Sequence, residues 1–440
     1  MIMSRRILIS IFLVLSVSAA IAPLTRAQAD GAYSPYSIFA IGDVSRQGTA
    51  YNSTMGGVGI ANRTNRYINI LNPASVTARD SLSFMADYSL RGDNKIFSQG
   101  GIKSVNNTFN VNDFVISFPI WRKNAAMMVG ISPFSDTGFD FSFKYSDPDV
   151  MGNIGNITNT SSGNGSLYKT FAAVGLTFFD RISVGAEFDY YFGNIVKTFN
   201  TTISDNSYNS IQNKINLQAT AVGGRFGIQY EQPLGSKFKL GIGAVYSTGA
   251  DIKGFYEDSR YAGGSVAVDT LYYKMDTLSV TRKAKIASEL GVGLCLKYAD
   301  KWMMEFDYTR SDWTNTGISS ISGFSESSSP FSSSVSQAYR FGFEIVPNRN
   351  DARYYFNHVA YRCGAYYKDE YYQLYGRKVS SMGVTLGVTL PIFRWYNGLT
   401  LGMELGQRGT LADNMIRERY INFSVGVNIF DIWFQKSHYD

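Results

Sequence analysis

The chain is poor in chemistry-bearing side chains: 440 residues carry two cysteines and two histidines. That scarcity argues against a transition-metal centre built from thiolates and imidazoles. Catalysis fares no better. His438 lies in the terminal tail, and His358, in phase with Ala360 and Arg362, has no nucleophile motif beside it. No enzyme and no cofactor is expected. Cys363 is in phase with Val359 and Tyr361, whereas Cys295 is in phase with Glu289, Gly291 and Gly293, so the two thiols are expected on opposite faces, unbridged.

Charge is also sparse and nearly balanced. Charged residues make up 17% of the chain, with a formal net charge of +6. Removing Arg5, Arg6 and Arg26 with an export signal takes the 41 basic residues to 38, against 35 acidic ones. A balance this close to neutral gives no footprint for nucleic acid. Beyond the N-terminus there is no run of the roughly 18 apolar residues that a transmembrane helix needs.

What is present starts with that signal. Arg5 and Arg6 precede an apolar stretch from Ile7 to about Ile21, and Ala27-Gln28-Ala29 forms a cleavage site. Residues 1–29 are expected to be removed. From about Ser81 onward, apolar residues alternate with small or polar ones. Ile182, Val184, Ala186, Phe188, Tyr190 and Phe192 fall on one side of such a stretch, and Ser183, Gly185, Glu187 and Asp189 on the other. The same period holds for Phe238–Tyr246, Trp302–Tyr308, Tyr339–Ile345, Met382–Leu390 and Ile421–Ile429. With 30 Tyr, 30 Phe and 42 Gly, this is the composition of lipid-facing strands and aromatic girdles.

Short connections are expected near 121–124, 179–181, 231–237, 299–301, 347–353 and 393–397. Longer Ser/Asn/Gly/Thr-rich loops are expected near 92–110, 134–166, 199–215, 249–283, 312–334, 369–378 and 408–418. Six turns and seven loops require fourteen strands. The fold class is therefore all-β: a transmembrane antiparallel barrel over residues 81–440, placed in the outer membrane. Residues 30–80 lack the alternation yet contain Ile38, Phe39, Ile41, Val58, Ile60, Ile68 and Ile70, which need burial. They are expected to form a plug in the lumen, which at this strand number exceeds what wall side chains fill.

Two elements of that segment carry a resemblance. Met55-Gly56-Gly57-Val58-Gly59-Ile60-Ala61, followed by Asn72-Pro73-Ala74-Ser75, resembles the N-terminal hatch of the FadL family of fatty-acid and hydrocarbon channels. Ser34-Pro35-Tyr36-Ser37 and Asp431-Ile432-Trp433-Phe434 resemble the ends of FadL-like barrels more widely. The resemblance implies a fourteen-stranded barrel with a gating plug formed by Met55, Gly56, Gly57, Gly59, Ala61, Asn72, Pro73 and Ala74. It also implies a kinked third strand that opens the wall sideways. Pro133 and Gly138 fit such an opening, although Pro133 could equally just end the strand.

Inward-phased charges are of mixed sign: Glu187, Asp189, Glu289, Lys297, Glu305, Asp307, Arg340, Glu344, Arg362 and Glu404. Mixed charge suits a self-neutralising contact between wall and plug better than an ion-selective ring. Phe255, Tyr256, Tyr272, Tyr273, Trp313, Phe324 and Phe331 sit on long loops, either to catch a ligand or partner or to pack on one another. Trp433 and Phe434, after the last strand, resemble the signal read by outer-membrane assembly machinery. By resemblance the leading expectation is passive uptake of hydrophobic small molecules with lateral release into the membrane. The alternative is a non-transporting barrel that is a subunit or docking scaffold of an outer-membrane assembly or secretion complex. An apolar path through the lumen would mark the first, a sealed lumen the second.

Overall fold

The computed structural model describes residues 33–432, apart from 81, 122–123, 146–147, 150–151, 153–154, 206, 264–266, 276–282, 322–330, 352 and 393–396. Fourteen antiparallel strands close into one barrel. They are β1 (Ser83–Gln99), β2 (Ile102–Trp121), β3 (Ala125–Lys144), β4 (Ile157–Phe178), β5 (Ile182–Ile203), β6 (Ile211–Leu234) and β7 (Phe238–Ser247). The ring continues through β8 (Glu289–Tyr298), β9 (Trp302–Asp312), β10 (Val335–Ile345), β11 (Ala360–Leu374), β12 (Arg377–Pro391), β13 (Gly398–Arg408) and β14 (Arg417–Ile432). Each strand pairs with the next. Closure comes from β1 on β14, in register from Ser83↔Ile432 to Ser98↔Arg417.

The two-residue period does what it must in such a ring. On β5, Phe188 and Tyr190 are exposed on the outer face while Ser183, Glu187 and Asp189 are buried inside. Cys295 is buried and Cys363 exposed, and both are free.

Strand lengths differ from the sequence expectation on one side of the barrel. β2 to β6 run for 20 to 24 residues, whereas β7 to β9 have 10 or 11. About 9–11 residues suffice to cross a bilayer. Half of this wall therefore stands above the membrane, and residues expected as loops near 92–110, 134–166 and 199–215 are largely strand. Between β1 and β2 only Gly100 and Gly101 turn, with φ of 52° and 87°, the paired positive values that a tight hairpin turn demands. Above the membrane no lipid imposes an apolar outer face, so Ser, Thr and Asn enter both sides and the alternation that marks a strand weakens. Within 249–283, the hairpin Lys253–Ala262 and Ala267–Met275 adds to the upper half of β6, while the lower half of β6 pairs with β7.

Inside the ring, the N-terminal segment and the wall form three layers. At the short-turn end, Ile68, Ile70 and Val76 pack on Met85, Val115, Met128, Phe171 and Phe430, and Tyr51, Met55, Val58 and Tyr67 pack around Cys295 and Met303. At the loop end, Tyr36, Ile38, Phe39 and Ile41 join Tyr191, Leu217, Tyr256, Trp313, Phe331, Tyr371 and Tyr372 in a second apolar cluster. Between them lies a layer of ionic side chains.

Candidate functional site

The Met55–Ala61 turn is held by carboxylates of the wall. Asp307 Oδ2 accepts from the amides of Gly59 at 2.7 Å and Ile60 at 3.0 Å, and Glu305 Oε1 accepts from that of Ala61 at 2.8 Å. Successive amides converging on carboxylates form an anion nest. Gly56 donates to Thr385 Oγ1 at 2.8 Å. Gly56 and Gly57 have φ of 69° and 84°, the left-handed region that costs glycine nothing.

Wall glycines make this approach feasible. A Cβ on Gly342 would lie 2.6 Å from the Met55 carbonyl oxygen, and one on Gly293 would lie 3.0 Å from the Ala61 nitrogen. Gly342→Val is therefore expected to destabilise the barrel by about 1–3 kcal/mol through overpacking. Gly92→Ala should have little effect, because its Cβ would meet Phe109 at 3.7 Å. Urea unfolding of the refolded proteins separates the two.

The second motif is tied to the first. Asn72 Oδ1 accepts from the Ala74 amide at 3.0 Å, capping the 3-10 turn Pro73–Thr77, while its Nδ2 donates to the Ile60 carbonyl at 2.8 Å. Pro73 and Ala74 press on Gly185 of β5, and Asn72 on Gly227 of β6.

Above these turns the ion pairs begin. Arg46 meets Glu404 at 2.8 Å, and Arg91 bridges Asp93 at 2.6 Å and Glu404 at 3.7 Å. The Arg408 guanidinium donates to Asp43 at 2.7 and 2.9 Å, to Glu418 at 2.8 Å and to Ser34 Oγ at 2.6 Å. Lys169 pairs with Glu187 at 3.0 Å and Asp189 at 3.4 Å. Lys197 Nζ donates to the carbonyls of Ile38 and Ala40, each at 2.7 Å. Arg362 pairs with Glu344 at 2.8 Å and lies over the rings of Tyr51 and Tyr67. A cavity of about 400 Å³ sits in this layer, bordered by Arg46, Arg91, Asp93, Asp307, Arg340 and Glu404.

Pro133 and Gly138 both lie inside β3, so the proline does not end the strand. The register against β4 shifts between Pro133 and Ser135, and six consecutive residues, Phe134–Phe139, are buried. Alternation fails there because β3 bends inward. Pairing of β2 with β3 stops at Phe114↔Ile131. Beyond that point the inner segment takes the β3 edge: Asp43↔Asp136 and Val44↔Ser135 pair, and Ser34 and Ser45 donate to the carbonyls of Gly138 and Phe134 at 2.7 and 2.9 Å. The wall is split between β2 and β3 above this level.

Three loop aromatics face inward. Tyr256, Trp313 and Phe331 are buried in the upper cluster, with Phe331 stacked on Phe39 at 5.1 Å and Trp313 packed on Tyr371 at 4.9 Å. Phe255 is exposed, and Tyr272 and Tyr273 lie on the paired strand opposite Glu257 and Tyr256. Phe324, Trp433 and Phe434 lie outside the described residues. His358 caps the turn after Tyr355–Asn357 at the short-turn end, its Nε2 against the Asp351 carbonyl. Sequence reasoning overlooked Asp43, Arg46, Lys197, Arg408 and Glu418. The lone inward-phased cations Lys197 and Arg408 were the available signal, because an inward cation on an apolar level demands a partner.

Barrel, inner segment and bent third strand together define a closed antiparallel β-barrel of the FadL-like fold. Solved structures similar to it include the Pseudomonas putida toluene transporter TodX, at TM-score 0.56 and 13% identity, covering 90% of this chain and 100% of that one. A Pseudomonas aeruginosa FadL homologue gives TM-score 0.54 at 10% identity, covering 89% and 98%. The Ralstonia pickettii toluene transporter TbuX gives 0.51 at 14%, covering 86% and 97%. Among curated protein sequences none matches the chain. The chain belongs to the BamG family, whose model matches residues 3–440.

Proposed function

We propose that this protein is a non-conducting FadL-like barrel, plugged by residues 30–80, that serves as a subunit or docking scaffold of an outer-membrane protein assembly or secretion complex. The observation that carries this reading is the ionic layer across the lumen. Between the two apolar clusters stand Arg46, Arg91, Asp93, Glu404, Arg408, Asp43 and Glu418, paired with one another. A hydrophobic solute passing there would have to separate buried pairs, and breaking one costs about 3–5 kcal/mol. Asp43, Arg46 and Arg63 of the inner segment each meet a wall charge, Arg408, Glu404 and Glu231, as suits a permanent seal.

Passive uptake with lateral release is the second reading, favoured by the split between β2 and β3, where Val111, Pro133 and Tyr168 border the cavity. Native mass spectrometry of the protein extracted from its own membrane in mild detergent distinguishes the two. A stoichiometric complex with other envelope proteins and no small ligand is the expected result. A monomer carrying a fatty-acid-like ligand would overturn the scaffold reading in favour of uptake.

A further inference from the structure

The split wall leaves its two edges in different states. The β3 edge is satisfied by Ser34, Asp43–Val44 and Ser45, as described above. On β2, residues Ile102–Phe109 pair with β1 on one side. Their other side faces the gap, with no backbone partner across it among the described residues. Alternate N–H and C=O groups of Lys103–Phe109 therefore point sideways out of the ladder. Of the outward side chains beside them, Lys103, Val105, Asn107 and Phe109, two are apolar and open: Val105 is 67% and Phe109 61% exposed. An edge of this kind does not persist in hydrocarbon, and above it an unpaired edge is a template for another strand.

We infer that the β2 edge, Lys103–Phe109, receives an extended strand from a different envelope protein, completing the wall by strand addition. The inference rests on the subunit reading and names its docking surface. The chemistry of the occupant follows from the edge. Between Lys103 and Asp113 no side chain is ionisable, so a charge on a strand laid along that stretch finds no opposite charge across the pair, and the occupant is uncharged there. Its outward residues beside Val105 and Phe109 are apolar. A second copy of this chain does not fit. Two barrels related by an axis along the membrane normal present β2 strands running in the same sense but tilted oppositely by about 35–45° each, so the edges cross instead of pairing.

The test uses the full chain in its own membrane, with Cys363→Ser to silence the exposed thiol. Asn107→Cys carries a short thiol cross-linker, and Phe306→Cys on the outer face of β9 is the control. The expected adduct at position 107, absent at 306, is an uncharged extended segment of another protein. Amide exchange of Lys103–Phe109 should be at least about tenfold slower in the native complex than in the isolated barrel. Val105→Glu/Phe109→Glu, in a barrel shown to be assembled by its heat-modifiable gel mobility, should lose the adduct. A lipid, lipopolysaccharide or second-copy adduct with unchanged exchange overturns the inference. A stable complex whose edge exchanges like the isolated barrel overturns this inference alone, whereas absence of any complex overturns the subunit reading with it.

Discussion

Replacing Arg408 with methionine is expected to destabilise the barrel by about 3–5 kcal/mol, the effect of removing one partner from a buried ionic cluster. Its guanidinium is the shared cation of Asp43 on the inner segment and Glu418 on β14, and it also holds Ser34 Oγ. Without it, buried Glu418 and half-buried Asp43 lose their nearest counter-charge. The consequence should be local first. Ser34–Val44, which fills the β3 edge beside Gly138, should become sensitive to protease before the strands do. Urea unfolding of the refolded variant measures the global loss. The triple variant Arg408→Met/Asp43→Asn/Glu418→Gln should recover part of it, because the stranded charges are gone. An unchanged midpoint in the single variant would show that the cluster does not hold the segment.

Deleting Ala50–Ala61 should leave the strands assembled but open the lumen. The deletion removes the three amides that Asp307 and Glu305 accept, and it empties the space that Gly342, Gly364, Gly243 and Gly293 keep clear of side chains. Wall side chains alone fill a ring of about eight strands, not one of fourteen. Cells carrying the deletion should take up bulky hydrophobic antibiotics several-fold faster and be correspondingly more sensitive to them. Unaltered sensitivity at normal barrel levels would count against a sealing role for this turn.

The membrane-spanning wall was open to sequence reasoning because its physics is local. A strand with lipid outside and polar groups inside must alternate, so Phe188 against Glu187 or Phe306 against Asp307 gives its facing without knowledge of any neighbour. The same reasoning failed at 92–110 and 134–166, where the wall rises into water and polar residues enter both faces. Pro133 was ambiguous for a related reason. A proline that bends a strand inward and one that ends it look alike until the neighbouring edge is known.

Sequence by itself determined the strand number, the closed all-β class, the burial demand of the N-terminal segment and the mixed charge of the lumen. Each is written in residue type and period. Tertiary structure alone decided which charges meet. Arg408 lies more than three hundred residues from Asp43 and Ser34, as does Glu404 from Arg46, and only closure of the ring around the inner segment brings them together. It also decided that Tyr256, Trp313 and Phe331 cap the lumen instead of facing solvent, and that the β3 edge is filled while the β2 edge is not. Pairing across a barrel depends on register and on what occupies the lumen, and neither is encoded in the period of any single strand.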